Sequence, residues 1–475
     1  MVGSFARLIC LLGLLVSPAA AQMAKIERGV AITDPEILRT LDGAELSLAR
    51  LLDADASANS AALFALPSMA EVREATDRDF NDYVTARKGL SERLNLFDRD
   101  ALNAQGTRFD LSGIVNRMDR AYVSPDTCGE IRMIYRPVAH HDSTDKNSPP
   151  SRLPMTFSVI LKAKPANADV SCAELAKRWL TIGDAVPADP ATLNAKGGAL
   201  EWINRDAVDR IEINIQVARA AADPNDFEGR ADYLMKVFRL DRQKQRFVES
   251  PMENQIDVQH IKSDAKLAAD FRQWLLDPAH IADLDRGAIV LPDRFLATSV
   301  INETSSHVDL DKAVRDLFTE DDIVPALAAA SARTPLENIL SPTGFARRLD
   351  DMACAGCHRT RAVGGFHFPG AEQQDHATGA VVAVASPHFF GDQERRRDVL
   401  AAIRDSNLPD FSRGFSARPQ PRRSKELAGT TYVDGWGATC YAPEADKSFA
   451  SWTCAEGLIC QANGASRSGF CFPKN

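Results

Sequence analysis

A chain of 475 residues has room for two to four domains at the usual ~100–200 residues each. Its 45% hydrophobic and 25% charged content is that of an ordinary globular protein, and 7% aromatics without long polar tracts excludes wholesale disorder, collagen and coiled coil. Lys+Arg 56 against Asp+Glu 65 leaves a net charge of −9, which argues against a nucleic-acid binder.

In chain order, residues 1–21 read as a secretory signal. Arg7 precedes an apolar run from Leu8 to Val16, Ser17-Pro18 breaks it, and Ala19-Ala20-Ala21 supplies a small-residue cleavage site. That run is too short to span a bilayer, and no later run is long enough, so a periplasmic or secreted protein without a membrane span is expected. Residues 22–107 are expected to be helical. Ile37, Leu38, Leu41, Leu48, Leu51 and Leu52 share a face there, and Thr33 with Glu36 reads as a capping box.

From 108 to 302 the apolar period changes to two. Ile131, Met133 and Tyr135, then Met155, Phe157, Val159 and Leu161, then Ile211, Ile213, Ile215 and Val217 alternate with polar or branched neighbours. Segments 234–240 and 288–291 are two further expected strands, and 264–276 is an expected helix. The fold class is therefore α+β with a mainly antiparallel sheet.

Residues 303–411 turn helical. Leu310, Val314, Leu317 and Phe318 suit one helix; Ser341-Pro342 opens another, with Phe345, Leu349 and Met352 inward. A third is expected over 392–404, with Val399, Leu400 and Ile403 inward. Residues 412–439 carry Arg413, Arg418, Pro419, Pro421, Arg422, Arg423 and Lys425 and read as a solvated, basic, proline-rich linker. Residues 440–475 form a cysteine-rich tail.

The helix that begins at Ser341 runs into Cys354-Ala355-Gly356-Cys357-His358, the spacing of covalent c-type haem attachment. Two thiols two residues apart can add to the two vinyl groups on a haem's edge, and the next imidazole can turn under the iron. Three other readings fit less well. A thioredoxin-type pair would open a helix rather than follow one, a zinc site lacks a second ligand pair at tight spacing, and a plain disulfide leaves His358 without a role.

This helix and pentapeptide resemble a bacterial c-type cytochrome domain with a single Cys-x-x-Cys-His motif, set within a large exported protein; the resemblance covers about residues 335–410. It implies a small helical cytochrome c-like domain, one covalent haem c, thioethers from Cys354 and Cys357, and His358 as proximal iron ligand. It further implies electron transfer with a redox partner protein. Methionine is a frequent distal ligand in such domains, yet no Met follows Cys357. His367, between Phe366 and Phe368, is the first distal candidate and His388 the second, with Met352, Met252 or an open position as the remaining choices. A haem enzyme such as a peroxidase and a haem-free, disulfide-stabilised binding protein are the alternative classes. Loss of the signal leaves eight cysteines. Cys440, Cys454, Cys460 and Cys471 are expected to form two bridges, with three pairings open, and Cys128 can pair with Cys172.

Overall fold

The computed structural model describes residues 30–87, 93–95, 99–139, 151–184, 189–220, 230–303, 316–354, 392–416, 418, 427–431, 433–442, 446–462 and 468–474. The expected signal at 1–21 lies outside them. The expected α+β class holds: helices surround a large antiparallel sheet.

Ten strands form that sheet among the described residues: β1 (Ala31–Ile32), β2 (Arg93–Asn95), β3 (Thr107–Arg117), β4 (Glu130–Ala139), β5 (Ser151–Arg152), β6 (Met155–Lys162), β7 (Val208–Ala220), β8 (Arg230–Asp241), β9 (Arg246–Ser250) and β10 (Ser299–Glu303). The main order is β1-β3-β4-β6-β7-β8-β10, all antiparallel. Alternation decides which side chains go inward. Ile131, Met133 and Tyr135 of β4, with Phe157, Val159 and Leu161 of β6 and Ile211, Ile213 and Ile215 of β7, enter one core. In β3 the register shifts between Leu111 and Gly113, so odd positions face this core before the bulge and Ile114 faces it afterwards.

Helices α1 (Pro35–Asp42), α2 (Ala70–Ala86) and α3 (Cys172–Asp184) cover that face with Leu38 and Leu41, Val72 and Tyr83, and Leu175 and Trp179. Each such buried side chain contributes roughly 1.5–3 kcal/mol. The N-cap of α1 is Asp34, whose carboxylate accepts from Glu36 N and Ile37 N; the expected Thr33 cap is displaced because Pro35 starts the helix one residue later. At the other end of α1, burial pushes the Asp42 carboxyl up to about 7, against the Leu111 N–H that lowers it and with Asp110 that raises it further. A folded-state value above the unfolded one means that native protein holds the extra proton between about pH 4 and 7. Stability therefore falls as pH rises through that window. Asp42→Asn, which keeps an acceptor for Leu111, is expected to gain about 2–4 kcal/mol at pH 8 and almost nothing at pH 4. Urea unfolding at the two pH values checks this.

A second core is helical. α4 (Ala265–Leu275), α5 (Pro278–Arg286), α6 (Glu320–Arg333) and α7 (Pro342–Met352) bring together Phe271, Phe295, Phe318 and Phe345. Ser341 caps α7 as expected, accepting from Gly344 N at 2.9 Å. Segment 288–291 is not a strand. After the left-handed cap at Gly287, Ile289 and Leu291 bury in the helical core, and the Asn254 side chain bonds Ile289 O and Leu291 N in place of a neighbouring strand. Helix α8 (Gln393–Arg404) turns Leu400 and Ile403 into the sheet's core and lies against α3.

Within 412–439, residues 419–426, which include Pro419, Pro421, Arg422, Arg423 and Lys425, lie outside the described residues; of the described ones Trp436 is exposed, while Phe415, Ser416 and Arg418 are buried. Arg418 is buried and donates to Thr439 O, Ser451 O and Thr453 O, while Phe415 packs with Phe449 and Trp452. Its carbonyl partners come from the tail, and the proline-rich composition gave no sign of them. The tail itself has three short strands, β11 (Thr439–Tyr441), β12 (Leu458–Ala462) and β13 (Ser468–Pro473), stapled by Cys440–Cys460 and Cys454–Cys471. So small a unit depends on such staples. It docks on the start of α7 through Ser448, whose hydroxyl accepts from Leu340 N, and through Asp446, which accepts from Ser341 Oγ. A third disulfide, Cys128–Cys172, ties the turn before β4 to the first residue of α3. Three disulfides fit an oxidising compartment. No helix among the described residues is long and apolar enough to cross a membrane.

Candidate cofactor site

Helix α7 delivers Cys354 to the wall of a cavity of about 470 Å³ that is partly open to solvent. Three contacts hold this helix in place. Arg348 is fully buried and donates to four carbonyls, Leu284 O, Asp285 O, Arg413 O and Gly414 O. Asp351 accepts from Ser416 N with both carboxylate oxygens. The tail grips the N-terminus of the helix as described. At its C-terminal end the half-buried Cys354 Sγ donates to Glu253 O at 3.6 Å and packs on an apolar cluster of Tyr233, Met235, Val237 and Met252.

Cys354 is the expected site residue that the structure describes. Cys357, His358, His367 and His388 lie outside the described residues. Of the methionine alternatives, Met252 and Met352 both line the cavity, and the Met352 sulfur accepts from Arg413 Nη2 at 3.0 Å.

The cavity floor is the second face of the sheet. An antiparallel sheet with one apolar face normally shows its polar face to water. Here segments 290–296 and 351–354, with Arg396 and Arg413, cover it. Strand register arranges the floor in rows. Arg117, Glu130 and Lys162 stand side by side on β3, β4 and β6. Next come Val115, Arg132, Ile160, Arg210 and Arg239, then Ile134, Ser158, Glu212 and Val237, then Thr156, Asn214 and Met235.

Most charges on this floor are paired. Arg132 joins Glu130 to Glu212, Arg210 joins the same two carboxylates, and Arg120 bonds Glu253. Burial works to raise the Glu130 carboxyl, but Arg210, Arg132 and Arg120 overcome it and hold it well below the usual range. At one edge, Asp119 accepts from Arg117 and Arg395, and Asp392 accepts from Arg395 and Arg396. This chain of charges locks α8 to the end of β3. The turn that returns to β4 needs glycine at Gly129. It has φ +87°, and a Cβ there would lie 2.8 Å from Arg117 O.

Of the residues expected to hold a haem, the described part offers one thiol, Cys354, at the wall of this cavity beside an apolar cluster, while the sheet floor opposite is largely charged. The floor was missed in the sequence. Glu212 and Asn214 between isoleucines look the same whether they face water or a cavity. Scans against protein-family models, curated proteins and solved structures each return no match.

Proposed function

We propose that this chain is an exported c-type haem protein that transfers electrons through one haem held by Cys354 and Cys357, with His358 on the iron and His367, or next His388, as distal ligand. One observation carries the reading: the first cysteine of a Cys-x-x-Cys-His pentapeptide, the spacing of covalent haem attachment, lines a cavity of about 470 Å³. A bound haem supplies reversible one-electron exchange. Helix α7, anchored by Arg348, Asp351 and the stapled tail, sets the position of the first thiol. The cluster of Tyr233, Met235, Val237 and Met252 offers an apolar surface that excludes water beside it. The remaining opening to solvent favours a second reading, a haem enzyme such as a peroxidase, in which a small molecule reaches the iron.

Expression of the full chain with the cytochrome c maturation machinery tests the proposal. Intact mass of the purified mature protein is expected to show one added haem, and reduced-minus-oxidised spectra a single c-type haem. Cys354→Ala together with Cys357→Ala is expected to abolish the added mass while the three disulfides persist. A wild-type protein of bare polypeptide mass overturns the reading. Peroxide-dependent dye oxidation by the haem-loaded protein would select the enzyme.

A further inference from the structure

The buried charges where β3 meets α8 do not balance. Three guanidiniums, those of Arg117, Arg395 and Arg396, share two carboxylates, Asp119 and Asp392. Arg395 is well served, bonding Asp392 through Nε and Nη2 and Asp119 through Nη2. Arg396 is left short. Its Nε donates to Asp392 at 2.9 Å, while Nη1 and Nη2 have no hydrogen-bond partner among the described residues. Arg117 gives Nε and Nη2 to Asp119 and keeps Nη1 unbonded.

These unbonded nitrogens belong to side chains that the fold otherwise encloses. Arg117 is 8% exposed and Arg396 3%, and both line the cavity. Their free nitrogens are not among the side-chain atoms sealed from solvent, so the surface they keep is open to a ligand in the cavity. The two guanidiniums also lie close together. Arg117 Nε is 2.9 Å from one oxygen of Asp119 and Arg396 Nε is 4.0 Å from the other, so both flank a single carboxylate. Burial and the Arg117 charge beside it pull the Arg396 guanidinium down to about 10, still protonated at neutral pH. A buried positive charge in excess of its carboxylates is costly unless an anion joins it.

We infer that Arg117 and Arg396 form a binding site for a small tetrahedral oxyanion such as phosphate, held by Nη1 and Nη2 of Arg396 and by Nη1 of Arg117. The free nitrogens belong to two separate guanidinium planes. A tetrahedral oxyanion can offer an oxygen edge to each plane, whereas a carboxylate has one edge in one plane. The site stands on β3 and α8. The apolar cluster beside Cys354 rests largely on β8, four strands away, roughly 19 Å at the usual strand spacing. The oxyanion site therefore makes no use of the wall offered to haem.

Isothermal titration of the purified protein with inorganic phosphate, at low chloride and constant ionic strength, tests the inference. Saturable one-site binding tighter than about 1 mM is expected, with acetate at least about tenfold weaker. Arg396→Met keeps the buried stem and removes the excess charge. It should melt no lower than wild type in phosphate-free buffer, bind phosphate at least about tenfold more weakly, and lose the rise in melting temperature that phosphate gives wild type. An arginine with only a structural role would lower the phosphate-free melting temperature and leave that rise intact. Arg117→Lys, which keeps a donor for Asp119 without the second free nitrogen, should also bind about tenfold more weakly. Arg239→Gln removes a cation from β8, on the far side of the same floor, and should bind like wild type. The haem-free Cys354→Ala, Cys357→Ala protein should bind phosphate like the loaded one. The inference is overturned by absence of binding in wild type, by acetate binding as tightly as phosphate, by Arg239→Gln losing as much as Arg396→Met, or by Arg396→Met binding like wild type. Binding confined to the haem-free protein also overturns it, since the haem's own propionates would then be the anions that these arginines hold. Haem loading, read separately by mass, leaves a failure here distinct from failure of the haem proposal.

Discussion

Arg348→Leu is expected to cost on the order of 4–5 kcal/mol and to release the helix that carries Cys354. The guanidinium is fully buried, lies over the Phe415 ring, and is the shared donor for the last turn of α5 and for residues 413–414. Burial holds its pKa down to about 10, still charged at neutral pH, with Asp351 beside it. Leucine fills most of the volume but leaves four buried carbonyls without their donor, each costing about 1–3 kcal/mol before relaxation. Arg348→Lys is expected to recover little, because an ammonium cannot reach four carbonyls in the planar spread of a guanidinium. Denaturant unfolding of both variants, with haem content measured alongside, checks the result. Loss of stability below about 1 kcal/mol in Arg348→Leu would contradict it.

Asp119→Asn is the second large effect, about 3–5 kcal/mol at pH 7. Burial alone would raise this carboxyl, but Arg117, Arg395 and Arg396 outweigh it and keep the group well below its ordinary value. An amide in its place leaves Arg395 and Arg396 with Asp392 alone and takes from Arg117 the carboxylate it bonds. A depressed folded-state pKa contributes stability that is fully present above the unfolded value near 4 and is lost as pH falls further. Wild type is therefore expected to lose stability steeply below about pH 4, and Asp119→Asn to lose less across the same range. Parallel unfolding series at pH 3, 5 and 7 read both slopes. Equal slopes would remove Asp119 from the account.

Both variants bear on how the chain holds its site. Arg348 acts on the helix that precedes residues 355–391 in the chain, and Asp119 on the helix that follows them. Each is a charged residue with almost no exposed surface, a rare state for Arg or Asp without partners.

Local pattern carried much of this architecture. A two-residue apolar period named the inward face of β4, β6 and β7, since neighbours along a strand must point to opposite sides. Ser341-Pro342 marked the start of α7, because capping is settled within one turn. The pentapeptide at Cys354–His358 needs only adjacent residues to be recognised, and the chain's nine cysteines could be counted. Other features needed the folded chain. The pairing Cys440–Cys460 and Cys454–Cys471 was one of three equal choices until strands β11, β12 and β13 met. Arg395 reaches Asp119 across 276 residues, and Arg348 reaches Asp285 across 63. Arg418, read as part of a solvated strap, instead buries against tail carbonyls that follow it. The polar face of the sheet shows the reason most plainly. Alternation says which side chains share a face, but whether water or protein covers that face depends on segments far along the chain, and those are brought there only by tertiary packing.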